Sequence, residues 1–142
     1  MPEKPTNPTI RQFVFERAHF LCEYCCSPLE YCIQPFVIEH IIPISKHGTN
    51  DLDNLACACG GCNGHKYNKT EAQDTVDQKS VLLYHPRLHQ WFDHFAWSAD
   101  FIQIIGVSDT GRATIASLHL NRPGVLNIRQ LLVLAGKHPP VY

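Results

Sequence analysis

One interleaved pattern between residues 22 and 66 constrains this chain more than any other feature. It reads Cys22-x-x-Cys25, then Glu39-His40-Ile41-Ile42-Pro43, then Asn54-Leu55, then Cys59-x-x-Cys62-Asn63-x-x-Lys66. Two CxxC knuckles bracket a carboxylate–histidine pair, and an amide side chain follows the last cysteine directly. Four thiolates on two short knuckles match the tetrahedral preference of Zn2+, so Cys22, Cys25, Cys59 and Cys62 are read as ligands of a structural zinc. The 33 residues between Cys25 and Cys59 leave room for a hairpin inserted between the knuckles. A site closed by four thiolates has no open position for substrate, which makes this metal architectural. Cys26, Cys32 and Cys57 are surplus and are expected as buried free thiols.

Composition agrees with metal ligation over disulfides. Seven cysteines leave one thiol over in any all-disulfide scheme. A chain of 142 residues can bury a core without covalent staples. Residues 1–8 are polar and proline-rich with no apolar segment behind them, which does not read as a secretory signal. The longest apolar run, residues 131–135, is far short of a membrane span. A cytoplasmic protein with no membrane partner is therefore expected. The net charge of −1 gives no general push toward nucleic acid, yet it is unevenly spread. Residues 71–109 hold six acids and two bases, whereas residues 110–142 hold Arg112, Arg122, Arg129 and Lys137 and no acid. That last segment could touch phosphates, or it could be an ordinary solvated helix face.

Along the chain, residues 1–8 read as a flexible tail. Thr9 and Gln12 suggest a capping box opening a helix to about residue 20, with Ile10, Val14 and Ala18 at helical spacing. Residues 35–44 read as a strand ended near Pro43, residues 45–53 as a loop, and residues 55–58 as a short returning strand. A helix is expected from residue 62 to about 73. Further on, residues 81–84 look extended, and residues 91–97 and 101–107 look like a hairpin. Residues 113–118 form a short predicted helix. A longer one follows Asn121-Arg122-Pro123, with Asn as cap and Val125, Ile128, Leu132 and Ala135 as its buried stripe. Trp91, Phe95 and Trp97 are expected in a core, although the tryptophans could instead stack on bases.

The central pattern resembles the HNH endonuclease family, in its zinc-knuckle branch: Cys-x-x-Cys, Asp/Glu-His-Ile-x-Pro, Asn-Leu, Cys-x-x-Cys-Asn/His-x-x-Lys. The resemblance covers residues 9–70. The segment with His85-Pro86-Arg87, Trp91, His94-Phe95 and Gly111-Arg112-Ala113-Thr114 is similar to an extension on some bacterial members. The resemblance implies an α+β fold: a ββα-metal hairpin and helix with a four-cysteine zinc site, preceded by a helix. The expected organisation is a tail (1–8), a nuclease core with zinc knuckles (9–70), and a small α+β extension packed on that core (71–142).

Phosphodiester hydrolysis needs a deprotonated water, charge neutralisation at the phosphoryl oxygens and stabilisation of the leaving alkoxide. His40 is read as the general base. Glu39 and Asn63 are read as ligands of a catalytic divalent cation, Mg2+ or similar. His65 is a rival to Asn63, but residues two apart on a helix point roughly opposite ways. The resemblance further implies that Asn54 pins the loop between the strands, and that 5′-phosphate and 3′-hydroxyl ends result. Lys66, one turn beyond Asn63, is expected to steady the substrate phosphate. Adjacent strand residues face opposite sides, so Glu39 and His40 do not share one regular face. His19, His119 and His138 are expected at the surface or in packing, His47 in the solvated loop, and His85-Pro86-Arg87 in a chain turn. The partner expected is DNA, with pairing into a homodimer or membership of a larger defence or processing system left open. The alternative is a non-catalytic zinc-binding module for nucleic-acid or protein contact. A third reading is a toxin or defence effector using the same chemistry.

Overall fold

A computed structural model describes residues 7–141. The expected tail lies outside them as far as residue 6. Among the described residues there are three two-stranded antiparallel sheets and five α-helices, a mixed α+β fold. They form two compact units: one runs up to Thr70 and includes His85–Leu88, and the other comprises Glu71–Tyr84 and the chain from His89 onward. No helix is long and apolar enough to cross a membrane.

In the first unit, α1 spans Pro8–Arg17. Its cap is Asn7, whose Oδ1 accepts from Thr9 N at 2.8 Å, and Pro8 opens the first turn. The predicted Thr9–Gln12 capping box is thus corrected: Pro8 has no N–H to leave unsatisfied and pre-sets the helix two residues earlier. Gln12 instead donates to Glu16 along the exposed face. Val14, Phe15 and Ala18 bury one side of α1, which packs against β2 (Leu55–Ala58). The helix stops at Arg17, before His19 and Phe20 take positive φ angles of 56° and 58°. Strand β1 (Val37–His40) pairs with β2 so that Glu39 faces Ala56 and His40 faces Leu55 in register.

The predicted strand over residues 35–44 is shorter in the structure because a side chain takes over the pairing. Ile41 N still donates to Asn54 O, but at Ile42 the Asn54 amide replaces a strand partner. Between the strands lie two 3-10 turns, Ile44–Lys46 and Leu52–Asn54. Helix α2 (Gly60–Lys66) has 7 residues, starting two residues before the expected helix and ending seven residues before its expected end. Tyr67, at φ 54°, ends it, and residues 71–73 form a strand instead. The expected helix over residues 62–73 is therefore corrected in its second half, where the reversal at Tyr67 turns the chain into a strand.

In the second unit, β3 (Glu71–Gln73) pairs with β4 (Ser80–Leu82), and β5 (Phe95–Trp97) pairs with β6 (Ile104–Gly106). The predicted hairpin is present, but its first half begins as a single helical turn, α3 (Trp91–His94). Helix α4 (Asp109–Leu118) starts four residues earlier than predicted, because Ser108 Oγ accepts from Gly111 N at 2.9 Å and caps it. Gly111 is needed there for space: a Cβ would stand 2.0 Å from His94 O. Helix α5 (Pro123–Leu134) starts behind Arg122, not under an Asn121 cap. The Asn121 amide pairs with Ile104 N and O, both at 2.8 Å, and so extends β6 with a side chain. Buried Arg129 occupies the stripe between Val125 and Leu132, while Ala135 is exposed. Trp91, Phe95 and Trp97 form an aromatic core, with Trp91 ring-to-ring distances of 5.0 and 5.2 Å to the other two.

The basic C-terminal segment is largely spent within the second unit. Arg129 donates to Ile102 O, Leu120 O and Asn121 Oδ1. Arg112 makes a bidentate pair with Asp74, at 2.8 Å for each bond. Arg122 donates to Leu118 O and His119 O, and Lys137 is exposed. His138 packs edge-on to Trp97 with Nε2 2.9 Å from Phe101 O.

Candidate metal centre and catalytic hairpin

The first knuckle is a tight turn. Cys22 N donates to Ser27 O and Cys26 N to Cys22 O, both at 2.9 Å, with Cys26 at a φ of 64°. The second knuckle is the start of α2, where Cys59 Sγ accepts from Cys62 N at 3.4 Å. The sulfurs of Cys22, Cys25, Cys59 and Cys62 all lie within 4.8 Å of one another and are buried. Cys25 and Cys59 sulfurs are 3.8 Å apart, the edge a tetrahedron with Zn–S bonds of about 2.3 Å would have. Burial pushes the Cys22 thiol well up, while hydrogen bonds from Cys22 and the other two thiols hold Cys59 far down. Four thiols cannot share one pocket as four anions without a cation, a charge that a divalent metal would supply. The donor set fits a structural metal such as zinc.

The surplus thiols lie outside this set. Cys57 is buried on β2, and burial pushes its thiol up to about 12. Cys26 is buried and Cys32 half-buried.

The hairpin carries the remaining predicted residues. His40 ends β1, with Nε2 2.6 Å from Asn50 Oδ1. Asn54 is buried and makes three bonds: Oδ1 accepts from Ile42 N, and Nδ2 donates to Ile42 O and Thr49 O, at 2.8–3.0 Å. It ties the loop that carries Asn50 to the chain just past His40. Gly48 permits the same closure, since a Cβ there would stand 1.7 Å from Ile42 O.

Glu39 and His40 part company as strand alternation requires. Glu39 turns to a buried cluster: Tyr24 Oη donates to its Oε2 at 2.6 Å, and Lys66 Nζ donates to its Oε1 at 2.5 Å. Lys66 also donates to Ile41 O at 2.7 Å. Tyr24, Glu39 and Lys66 are 0, 2 and 1% exposed. Lys66 is thus placed differently from the expectation of a phosphate contact, because its ammonium is sealed inside against Glu39. Burial, with the Glu39 charge second, pushes the Tyr24 phenol well up and keeps it a donor. Asn63 is half-buried on α2, directly after Cys62, and His65 is exposed.

Sequence reading passed over three residues here. Tyr24 lies between two zinc ligands, where no spacing rule marks it. Asn50 looks like any loop amide. Glu23 accepts from Cys57 N at 2.8 Å and pairs with Arg87, joining the knuckle to β2 and to the turn at residues 85–88.

The arrangement is a two-stranded hairpin and a following helix, bracketed by two knuckles whose four cysteines cluster closely enough to hold a metal. Residues 22–69 match the family model for HNH endonuclease. The match takes in all four clustered cysteines and every predicted catalytic residue. No curated protein and no solved structure matches the chain.

Proposed function

We propose that this chain is an endonuclease that hydrolyses DNA phosphodiester bonds, with His40 as general base. The observation that carries the reading is His40 held at the end of β1 by Asn50, within the segment that matches the HNH family model. The Asn50 carbonyl oxygen can only accept, so Nε2 of His40 carries the proton. The lone pair is then on Nδ1, which becomes the nitrogen that takes a proton from water. The Asn54 amide and Gly48 hold the loop that holds Asn50, so they act on the base through its orientation. DNA is the substrate that the HNH resemblance implies, and the four-thiol zinc serves to fix the start of α2.

A divalent cation such as Mg2+ was expected between Glu39 and Asn63. Asn63 offers a half-buried amide beside the zinc site. Glu39 does not fit that role, for it is buried with both oxygens hydrogen-bonded, one of them to an ammonium. Glu39 as placed has no oxygen left to offer such an ion. The same observation favours the second reading, a non-catalytic zinc-binding interaction module.

Nicking of supercoiled plasmid separates the two. The zinc-loaded protein is expected to nick with Mg2+, Mn2+ or Ni2+ added, and His40→Ala is expected to keep zinc and fold while losing roughly 10²–10⁴-fold in rate. A folded, zinc-loaded wild type that leaves plasmid and single-stranded DNA intact with all three ions would refute the enzyme.

A further inference from the structure

We propose that the cation of Glu39 is Lys66: the acid of the Glu-His pair is the buried counter-ion of an ammonium, and not a ligand of a divalent metal. Three observations converge. The Lys66–Glu39 contact is 2.5 Å between side chains that are 1 and 3% exposed. The second oxygen of Glu39 is taken by Tyr24 Oη at 2.6 Å, from a residue with no exposure. The remaining reach of Lys66 is to Ile41 O at 2.7 Å, so one ammonium grips the chain on both sides of His40.

The charge inventory of the cluster closes without a metal. One carboxylate meets one ammonium, and the phenol supplies a neutral donor. Adding a dication to Glu39 would put two positive charges on one buried carboxylate and leave the ammonium without its anion. Removing either partner alone leaves an uncompensated buried charge, whereas removing both does not. The cluster also joins three elements: Tyr24 from the first knuckle, Glu39 from β1 and Lys66 from the end of α2. Because α2 begins at a zinc ligand and ends at Lys66, the zinc site and the pair hold opposite ends of one short helix. His40 lies on the stretch of chain that the pair grips. Lys66 and Tyr24 are positioning residues in this arrangement.

A double-mutant cycle tests it. Tryptophans 91 and 97 both lie in the second unit, so the first unit is followed by the thiolate-to-cobalt absorption of the full chain loaded with Co2+. Lys66→Met and Glu39→Gln are each expected to lower the melting midpoint by roughly 10 °C. The double variant is expected to recover most of that loss. Additive losses, or a Lys66→Met protein as stable as wild type, would overturn the pairing. If Lys66→Met fails to fold, recovery of a folded, cobalt-binding double variant supports the pairing, and failure of the double variant as well overturns it.

Mn2+ titration of the zinc-loaded protein, followed by the electron paramagnetic resonance of the free ion, tests the second half. Equal binding by wild type and the double variant, including none by either, is expected. A loss of tenfold or more in the double variant would return Glu39 to the metal. The proposal refines the nuclease reading by taking Glu39 out of its metal shell. Neither measurement uses cleavage, so an inactive protein with a coupled pair and an active protein with an uncoupled one are distinct results.

Discussion

The two units of this chain reach stability by different routes. The second is built around aromatic rings, Trp91, Phe95 and Trp97, with apolar residues from α4 and α5 buried in it. Its polar interior, among the described residues, is Asp74 paired with Arg112, the backbone-capping Arg129, Thr114 and His138. The first unit buries six thiols, a carboxylate, an ammonium, a phenol, an imidazole, a hydroxyl and an amide within about 45 residues. Apolar packing tolerates sliding and repacking, but each of those polar groups has one geometry in which it is satisfied. The difference teaches where function can be built: a hairpin held by directional bonds can fix one imidazole, and a hydrocarbon core cannot do so alone.

Metal removal should break the comparison most visibly. Chelation of zinc, or Cys59→Ser, is expected to unfold the first unit, since structural zinc in small knuckles contributes roughly 10–16 kcal/mol of apparent binding free energy. Emission from Trp91 and Trp97 should hold through chelation, and a tryptophan signal lost together with the metal would contradict separate routes to stability. Asn54→Asp comes next. It turns a donor to Ile42 O and Thr49 O into an acceptor, at an expected cost of about 2–3 kcal/mol by cobalt-absorption melts, and it should suppress nicking through Asn50 and His40.

The ion pair of the second unit gives a smaller, pH-dependent effect. Hydrogen bonds from Arg112 hold the Asp74 carboxyl below the usual carboxylate range. A depressed folded-state value adds stability that is present above the unfolded value of about 3.9 and is lost as pH falls toward the folded one. Tryptophan-detected melting should therefore weaken below about pH 4 in wild type and show a flatter acid limb in Asp74→Asn. The smallest effect is expected at Cys57→Ala, about 1 kcal/mol with one zinc still bound per chain, because a protonated buried thiol acts there as a small apolar group. Loss of zinc from that variant would redraw the ligand set.

Much of the first unit was legible because its signals are local. Two CxxC spacings name the four sulfurs, and the β1–β2 pairing follows from short β-branched and apolar runs around a turn-rich loop. The Asn54 loop clamp was anticipated from the family pattern, while its three partners came from the structure. The length of α2 was not legible, since Tyr67 adopts a positive φ that its residue type does not announce. Nor was the cap of α5, where Asn121 answers β6 instead of its own helix.

By itself the sequence determined which four cysteines cluster and the order of hairpin and helix, and it singled out His40 as the proposed base, because each depends on residue type and near spacing. Only the tertiary structure decided the partners of Glu39. Lys66 is 27 residues away and Tyr24 is 15, and neither separation has a periodicity that a carboxylate could be matched against. Desolvation is the reason: once folding removes water from Glu39, its charge must be met by whatever cation the fold delivers, and the fold delivers the last residue of α2.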